Sequence, residues 1–206
     1  MSQTRGAVGD RRAAPPSMPQ EAPMIAVHSI PTAFSPSDCD RLLAAIAEAP
    51  ARDARLVGQA TNHDLRRASL VWLDDLPNQG WVTDRIVALV AEANRETFHF
   101  DLDDFAESAQ VATYDAGREG HFAWHSDIGD GPLARRRKLT MVIQLSDPTD
   151  YEGGRLEIMP SANIVTGDTS RGAATVFPSY LLHRVTPVTA GIRRSVTIWA
   201  HGPAFR

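Results

Sequence analysis

Apolar positions change their spacing partway along this chain. Up to about residue 96 they recur at helical intervals, and from Gln110 onward they alternate in short β-rich runs broken by Gly, Pro and Asp. Ser35-Pro36 reads as an N-cap followed by proline at the first helical position. Leu42, Leu43 and Ile46 then form one stripe, with Pro50 at the end of the helix. A second helix is predicted from Trp81 to about Glu96, with Ile86, Leu89, Val90 and Ala93 on its buried side. Short strands are predicted over 24–30 and 68–73. Seven more follow: Gln110–Tyr114, Phe122–Asp127, Leu139–Leu145, Arg155–Met159, Ala173–Phe177, His183–Val188 and Arg193–Ala200. The order predicts a mainly β domain of α+β class, a sandwich or jelly roll with N-terminal helices bracing one sheet.

Length and composition narrow this to one globular domain, residues 24–206, behind a tail over 1–23 that is rich in Ala, Pro, Gln, Arg and Ser and is expected to be mobile. The net charge of −4 gives no general attraction to nucleic acid or anionic lipid, and no membrane partner is expected. The basic run Arg135-Arg136-Arg137-Lys138 reads as a solvated loop. The lone Cys39, in a helix-like segment, and the lack of an apolar leader point to packing and a cytoplasmic location.

Candidate chemistry gathers between His125 and Arg194. Residues two apart on a strand share a face, so His125 and Asp127 can grip one ion while Ser126 points away. A third ligand, His183, would complete a two-His, one-carboxylate face with open positions opposite, the arrangement associated with Fe(II) oxygenases. Beyond it stand Arg193 and Arg194. Alternation groups Arg193, Ser195 and Thr197 on one face and Arg194, Val196 and Ile198 on the other, and does not choose between them. His121, on the alternation of His125, and Trp124 are candidates to touch substrate. Arg67, before a strand near the same mouth, is a candidate to hold an acidic substrate group. His28, His63, His99 and His201 read as surface or satisfied core residues.

Several motifs resemble the Fe(II)- and 2-oxoglutarate-dependent dioxygenases, in the prolyl 4-hydroxylase-like branch that includes PKHD-type hydroxylases. They are Tyr114-Asp-Ala-Gly117, Trp124-His-Ser-Asp127, Gln144-Leu-Ser-Asp-Pro148 with Tyr151-Glu-Gly-Gly154, Phe177-Pro-Ser179, His183-Arg-Val-Thr-Pro187 and Gly191-Ile-Arg193-Arg-Ser195. The resemblance implies a double-stranded β-helix whose open mouth holds Fe(II) on His125, Asp127 and His183. It picks Arg193 with Ser195 as the clamp for the far carboxylate of 2-oxoglutarate, with Tyr114 and Gln144 as further contacts. It also implies O2 as second cosubstrate, ascorbate as an accessory reductant, and a small-molecule, amino-acid or peptide substrate hydroxylated at an unactivated C–H bond, with succinate and CO2 as co-products. Related halogenases lack the carboxylate that Asp127 supplies, so hydroxylation is expected over halogenation. Gly153 and Gly154 read as turn residues with positive φ, and residues 128–138 as a lid over the mouth. The competing expectation is a cupin-like metal-binding or sensing protein without turnover.

Overall fold

The computed structural model describes residues 26–49, 52–53 and 64–205. The predicted tail over 1–23, and His63, lie outside the described residues. Thirteen strands and two α-helices appear among them. The strands are β1 (His28–Ile30), β2 (Arg52–Asp53), β3 (Arg66–Arg67), β4 (Ser69–Trp72), β5 (Gln110–Asp115), β6 (His121–His125) and β7 (Arg137–Gln144), followed by β8 (Tyr151–Gly153), β9 (Leu156–Met159), β10 (Val165–Thr166), β11 (Ala174–Pro178), β12 (Leu182–Val185) and β13 (Val188–His201). The helices are α1 (Pro36–Ala47) and α2 (Gly80–Ala93).

The start of α1 and the end of α2 have local causes. Ser35 Oγ accepts from Asp38 N at 3.1 Å while Ser35 N donates to Asp38 Oδ2 at 3.0 Å, a reciprocal capping box. The α-helical hydrogen bonding of α2 ends at Ala93 and passes into a π-turn over Asn94–Phe98. There Asn94 bonds both the N–H and the C=O of Phe100 and closes the segment.

The strands form two antiparallel sheets. The larger runs β1-β11-β7-β13-β5-β4-β2, with β8 added against the start of β13. The smaller runs β10-β9-β12-β6-β3. One predicted strand, His183–Val188, is in fact two. β12 ends at Val185 in the small sheet, Thr186 and Pro187 turn the chain, and β13 begins at Val188 in the large sheet. Proline cannot donate to a ladder, so the change of sheet falls where the ladder must break.

Alternation on β13 and β7 divides the molecule. Val196, Ile198 and Ala200 with Leu139, Met141 and Ile143 pack with Leu42, Ile46, Val82, Ile86 and Val90 of the helices in the main core. Ser195, Thr197 and Trp199, with Val142 from β7, face the space between the sheets and line its cavity. The helices therefore brace the outer face of the large sheet and leave its inner face to the site.

Candidate metal and cosubstrate site

β6 and β12 are neighbours in the small sheet, and their register makes His125 and His183 direct partners. Their ring centroids lie 4.2 Å apart. Asp127 joins them by a different route from the one alternation suggests, because β6 ends at His125 and Asp127 sits in the following loop. Asp127 N donates to Ser179 O at 2.9 Å, and Thr140 Oγ1 donates to Asp127 Oδ2 at 2.7 Å. The carboxylate then stands 3.7 Å from His125 Nε2 and 3.4 Å from His183 Nε2. One ligand atom from each residue lies within 4.8 Å of the others.

Both imidazoles are oriented from behind. His125 Nδ1 donates to Ala123 O at 2.8 Å and His183 Nδ1 to Leu181 O at 2.9 Å, so each ring turns Nε2 toward Asp127. Burial and the nearby His183 push the His125 imidazole down to about 4, which leaves it neutral near pH 7. Burial alone would raise the Asp127 carboxyl, but His183 and His125 beside it prevail and hold it below the usual carboxylate range. His183 answers in kind: burial opposes its charge, Asp127 outweighs burial, and its pKa is raised. A cation bound here needs the His183 imidazole neutral, so proton and cation compete for it.

Arg193 is 2 % exposed, and its Nε donates to Gln144 Oε1 at 3.1 Å. Gln144 Nε2 in turn donates to the Tyr151 hydroxyl at 2.9 Å. The guanidinium lies 5.5 Å from the Tyr114 ring centroid, and Gly154 gives it room, since a Cβ there would come within 2.9 Å of Arg193 Cδ. Gly153 and Gly154 both adopt positive φ, as the turn reading expects. No carboxylate pairs with Arg193 among the described residues, and its Nη1 is buried with no hydrogen-bond partner. Burial lowers its pKa accordingly. A desolvated cation with an unused N–H is costly unless an anion completes it. The planar guanidinium with its unpartnered Nη1 suits a 2-oxoglutarate carboxylate in charge, and the two-imidazole, one-carboxylate donor set suits Fe(II).

Between the sheets lies a cavity of about 340 Å³, lined among others by His125, Asp127, His183, Tyr114, Ser195 and Trp199. Ile128, Gly129 and Ala134 of the expected lid line it too. Three of the candidate substrate residues are elsewhere. Register shifts between β12 and β6, where His183 pairs with His125 but Val185 pairs with Phe122. This β-bulge inserts one residue and reverses the alternation upstream. Phe122 therefore stacks on His125, centroids 3.4 Å apart, while His121 joins Arg67 in a separate open depression. His121 bonds Glu119 O and Asp64 O, and Arg67 pairs with Glu119. Trp124 lies under the Arg184 guanidinium, whose Cζ is 4.8 Å from its ring centroid, and does not line the cavity.

The same parity brings in Arg66, which the sequence reading passed over. It is the register partner of Phe122, lies 4.6 Å over that ring, and has a buried Nε without a hydrogen-bond partner. Tyr151 was also missed; its place in an aromatic-Glu-Gly-Gly turn was the available signal. The basic run reading needs correction as well. Arg137 and Lys138 are buried, the first against Glu107 and the second 3.5 Å over the Phe205 ring. His201 is the satisfied core histidine expected, fully buried.

Residues 109–201 match the family described as the 2OG-Fe(II) oxygenase superfamily. A PKHD-type hydroxylase of Azoarcus sp. (strain BH72) is 37% identical over 83 residues, 38% of this chain and 36% of the relative. One from Synechococcus sp. (strain JA-2-3B'a(2-13)) is 34% identical over 95 residues, 45% and 42% of the two chains. The matched stretch thus spans about two fifths of these relatives. Among solved structures, a Pseudomonas putida prolyl-4-hydroxylase superposes with a TM-score of 0.66 at 24% identity, covering 85% of this chain and 92% of that one. A Trichoplax adhaerens prolyl hydroxylase, solved with a hypoxia-inducible-factor peptide fragment, gives a TM-score of 0.69 at 17% identity over 85% and 83%. Residues 109–201 thus match the 2OG-Fe(II) oxygenase superfamily, and the chain is similar to PKHD-type hydroxylases.

Proposed function

We propose that the protein is an Fe(II)- and 2-oxoglutarate-dependent dioxygenase that hydroxylates an unactivated C–H bond of an amino-acid, peptidyl or related small-molecule substrate. The observation that carries this reading is the pairing of a His125, Asp127 and His183 cluster with a buried arginine whose Nη1 is unfilled. A metal-binding or sensing protein without turnover has no need of that arginine.

In this reading His125, Asp127 and His183 hold the metal on one side and leave the cavity side open. Fe(II) and 2-oxoglutarate bound there would activate O2, the oxidant: two of the four electrons it takes come from decarboxylating 2-oxoglutarate to succinate and CO2, and two from the substrate C–H bond. Arg193 takes the far carboxylate, with Ser195 beside it on the same face of β13. Gln144, itself bonded to Tyr151, fixes the guanidinium through Nε. Tyr114 supports its plane and closes that end of the cavity. The walls contributed by Leu65, Phe122, Val142, Leu156, Val185 and Trp199 exclude water from the reacting carbon. Arg66, in place of Arg67, meets a carbonyl or carboxylate of the substrate. The peptide named with the Trichoplax enzyme favours an amino-acid or peptidyl group there.

The test is succinate formation from 2-oxoglutarate with Fe(II) and O2, comparing wild type with His183→Ala and Arg193→Ala. Succinate from wild type alone is expected, together with a weak visible charge-transfer band on adding 2-oxoglutarate to the Fe(II) protein without oxygen. Absence of both would move the reading to the metal-binding alternative.

A further inference from the structure

We propose that Glu107 is a positioning residue for the metal centre: by holding Arg137, it keeps that guanidinium on the Asp127 backbone carbonyl and away from the Asp127 carboxylate. The inference rests on the metal reading above.

Glu107 lies in an irregular stretch just before β5. Its carboxylate accepts from Arg137 Nε at 2.6 Å and Nη2 at 2.5 Å, and from His201 Nε2 at 3.0 Å. His201 is fixed in turn, since its Nδ1 accepts from Ala106 N at 3.3 Å. Arg137 then uses its remaining arm on the metal site: Nη1 donates to Asp127 O at 2.9 Å, and Cζ lies 3.9 Å from the Trp199 ring centroid. Trp199 lines the cavity. One buried chain of contacts thus runs from the end of β13 through Glu107 and Arg137 to the residue that supplies the only carboxylate of the cluster.

The electrostatics give this chain a purpose beyond packing. A buried guanidinium is stable only beside an anion. Glu107 meets that need with two parallel hydrogen bonds, the strongest geometry for the pair. The two charges cancel at the cavity wall, and Asp127 keeps its negative charge for a cation. Burial would raise the Glu107 carboxyl, yet its bonds to His201 and Arg137 pull it down to about 2, so it stays ionised wherever the site works. Without the Glu107 charge, the guanidinium already seated on the Asp127 carbonyl would turn to the carboxylate of the same residue. It would then compete with the metal for its anionic ligand and set a positive charge beside the site.

The test is titration of the full chain with Co(II), followed by its visible absorption, for wild type, Glu107→Gln, Arg137→Met and the double variant. The single carbonyl oxygen of Gln can accept from Arg137 Nε and His201 Nε2 where Oε2 now does, while its NH2 faces Arg137 Nη2, so the charge and one hydrogen bond to Arg137 are lost together. Glu107→Gln is expected to weaken Co(II) about tenfold or more, the usual cost of losing an outer-shell partner. Removing the liberated guanidinium in the double variant should restore affinity to within about threefold of Arg137→Met alone. Wild-type affinity in Glu107→Gln, or a double variant as weak as Glu107→Gln, would overturn the proposal. Should Glu107→Gln fail to fold by circular dichroism, the double variant against Arg137→Met decides: equal affinities support it and a weaker double variant overturns it. His183→Ala tests the underlying reading separately. If it binds Co(II) as wild type does, the metal centre itself is misplaced, whatever Glu107 does.

Discussion

The two faces of β13 and β7 are made by the same strands and do opposite work. Toward the helices, Val196, Ile198, Leu139, Met141 and Ile143 belong to an apolar core with no polar obligations. On the inner face, Arg193, Ser195, Thr140 and Gln144 are just as buried, and each polar group must be satisfied or left waiting. Among the described residues of these two strands, Arg193 Nη1 on the second face is a buried donor left waiting. One face stabilises the fold, and the other holds chemistry at some cost to it.

That division can be broken from either side. The largest effect is expected for Arg193→Met. Losing two charge-assisted hydrogen bonds to a bound carboxylate should raise the apparent KM for 2-oxoglutarate about 10³-fold, roughly 4 kcal/mol. The same change should leave the cosubstrate-free protein as stable or about 1 kcal/mol more stable, because a buried uncompensated charge is gone. Steady-state kinetics and urea unfolding of one variant would show both signs. Next comes Leu42→Ala, beneath the other face, where a cavity in the core should cost about 3 kcal/mol in urea unfolding and leave the KM for 2-oxoglutarate unchanged. A shift in KM would mean the faces are coupled.

Acid gives a smaller effect. Glu107 has a depressed folded pKa, so its contribution is present above the unfolded value near 4.5 and is lost as pH falls toward about 2. Allowing for partial solvent screening, the stability advantage of wild type over Glu107→Gln should be on the order of 1–2 kcal/mol at pH 6 and vanish near pH 2 in metal-free protein. An advantage independent of pH would contradict the charge pairing. The smallest change expected is Ser35→Ala, which removes one side of the capping box and should lower stability by about 1 kcal/mol without touching the site.

Much of this was legible in the chain because it depends on local rules. Ser35-Pro36 announces α1, the Gln110–Tyr114 and Leu139–Leu145 runs announce β5 and β7, and the spacing of His125, Asp127 and His183 announces a metal cluster. What was not legible depends on one inserted residue. Strict alternation puts His121 on the face of His125, but the bulge in β6 puts Phe122 there, and its pairing with β3 exchanges Arg67 for Arg66. Glu107 was invisible for another reason. It lies in a stretch with no periodicity, and its partner Arg137 sits in a basic run that composition alone assigns to solvent. Only the closing of β5, β7 and β13 side by side brings these charges together.

The bulge also bears on how this strand can change its length through descent. Loss of a single codon between Phe122 and His125 would remove the extra residue and leave Phe122 two positions from His125, on the same face and opposite Val185 as before. The spare residue is slack: the strand could shorten by one without taking the stacking ring off the metal-side imidazole or moving His125 away from His183.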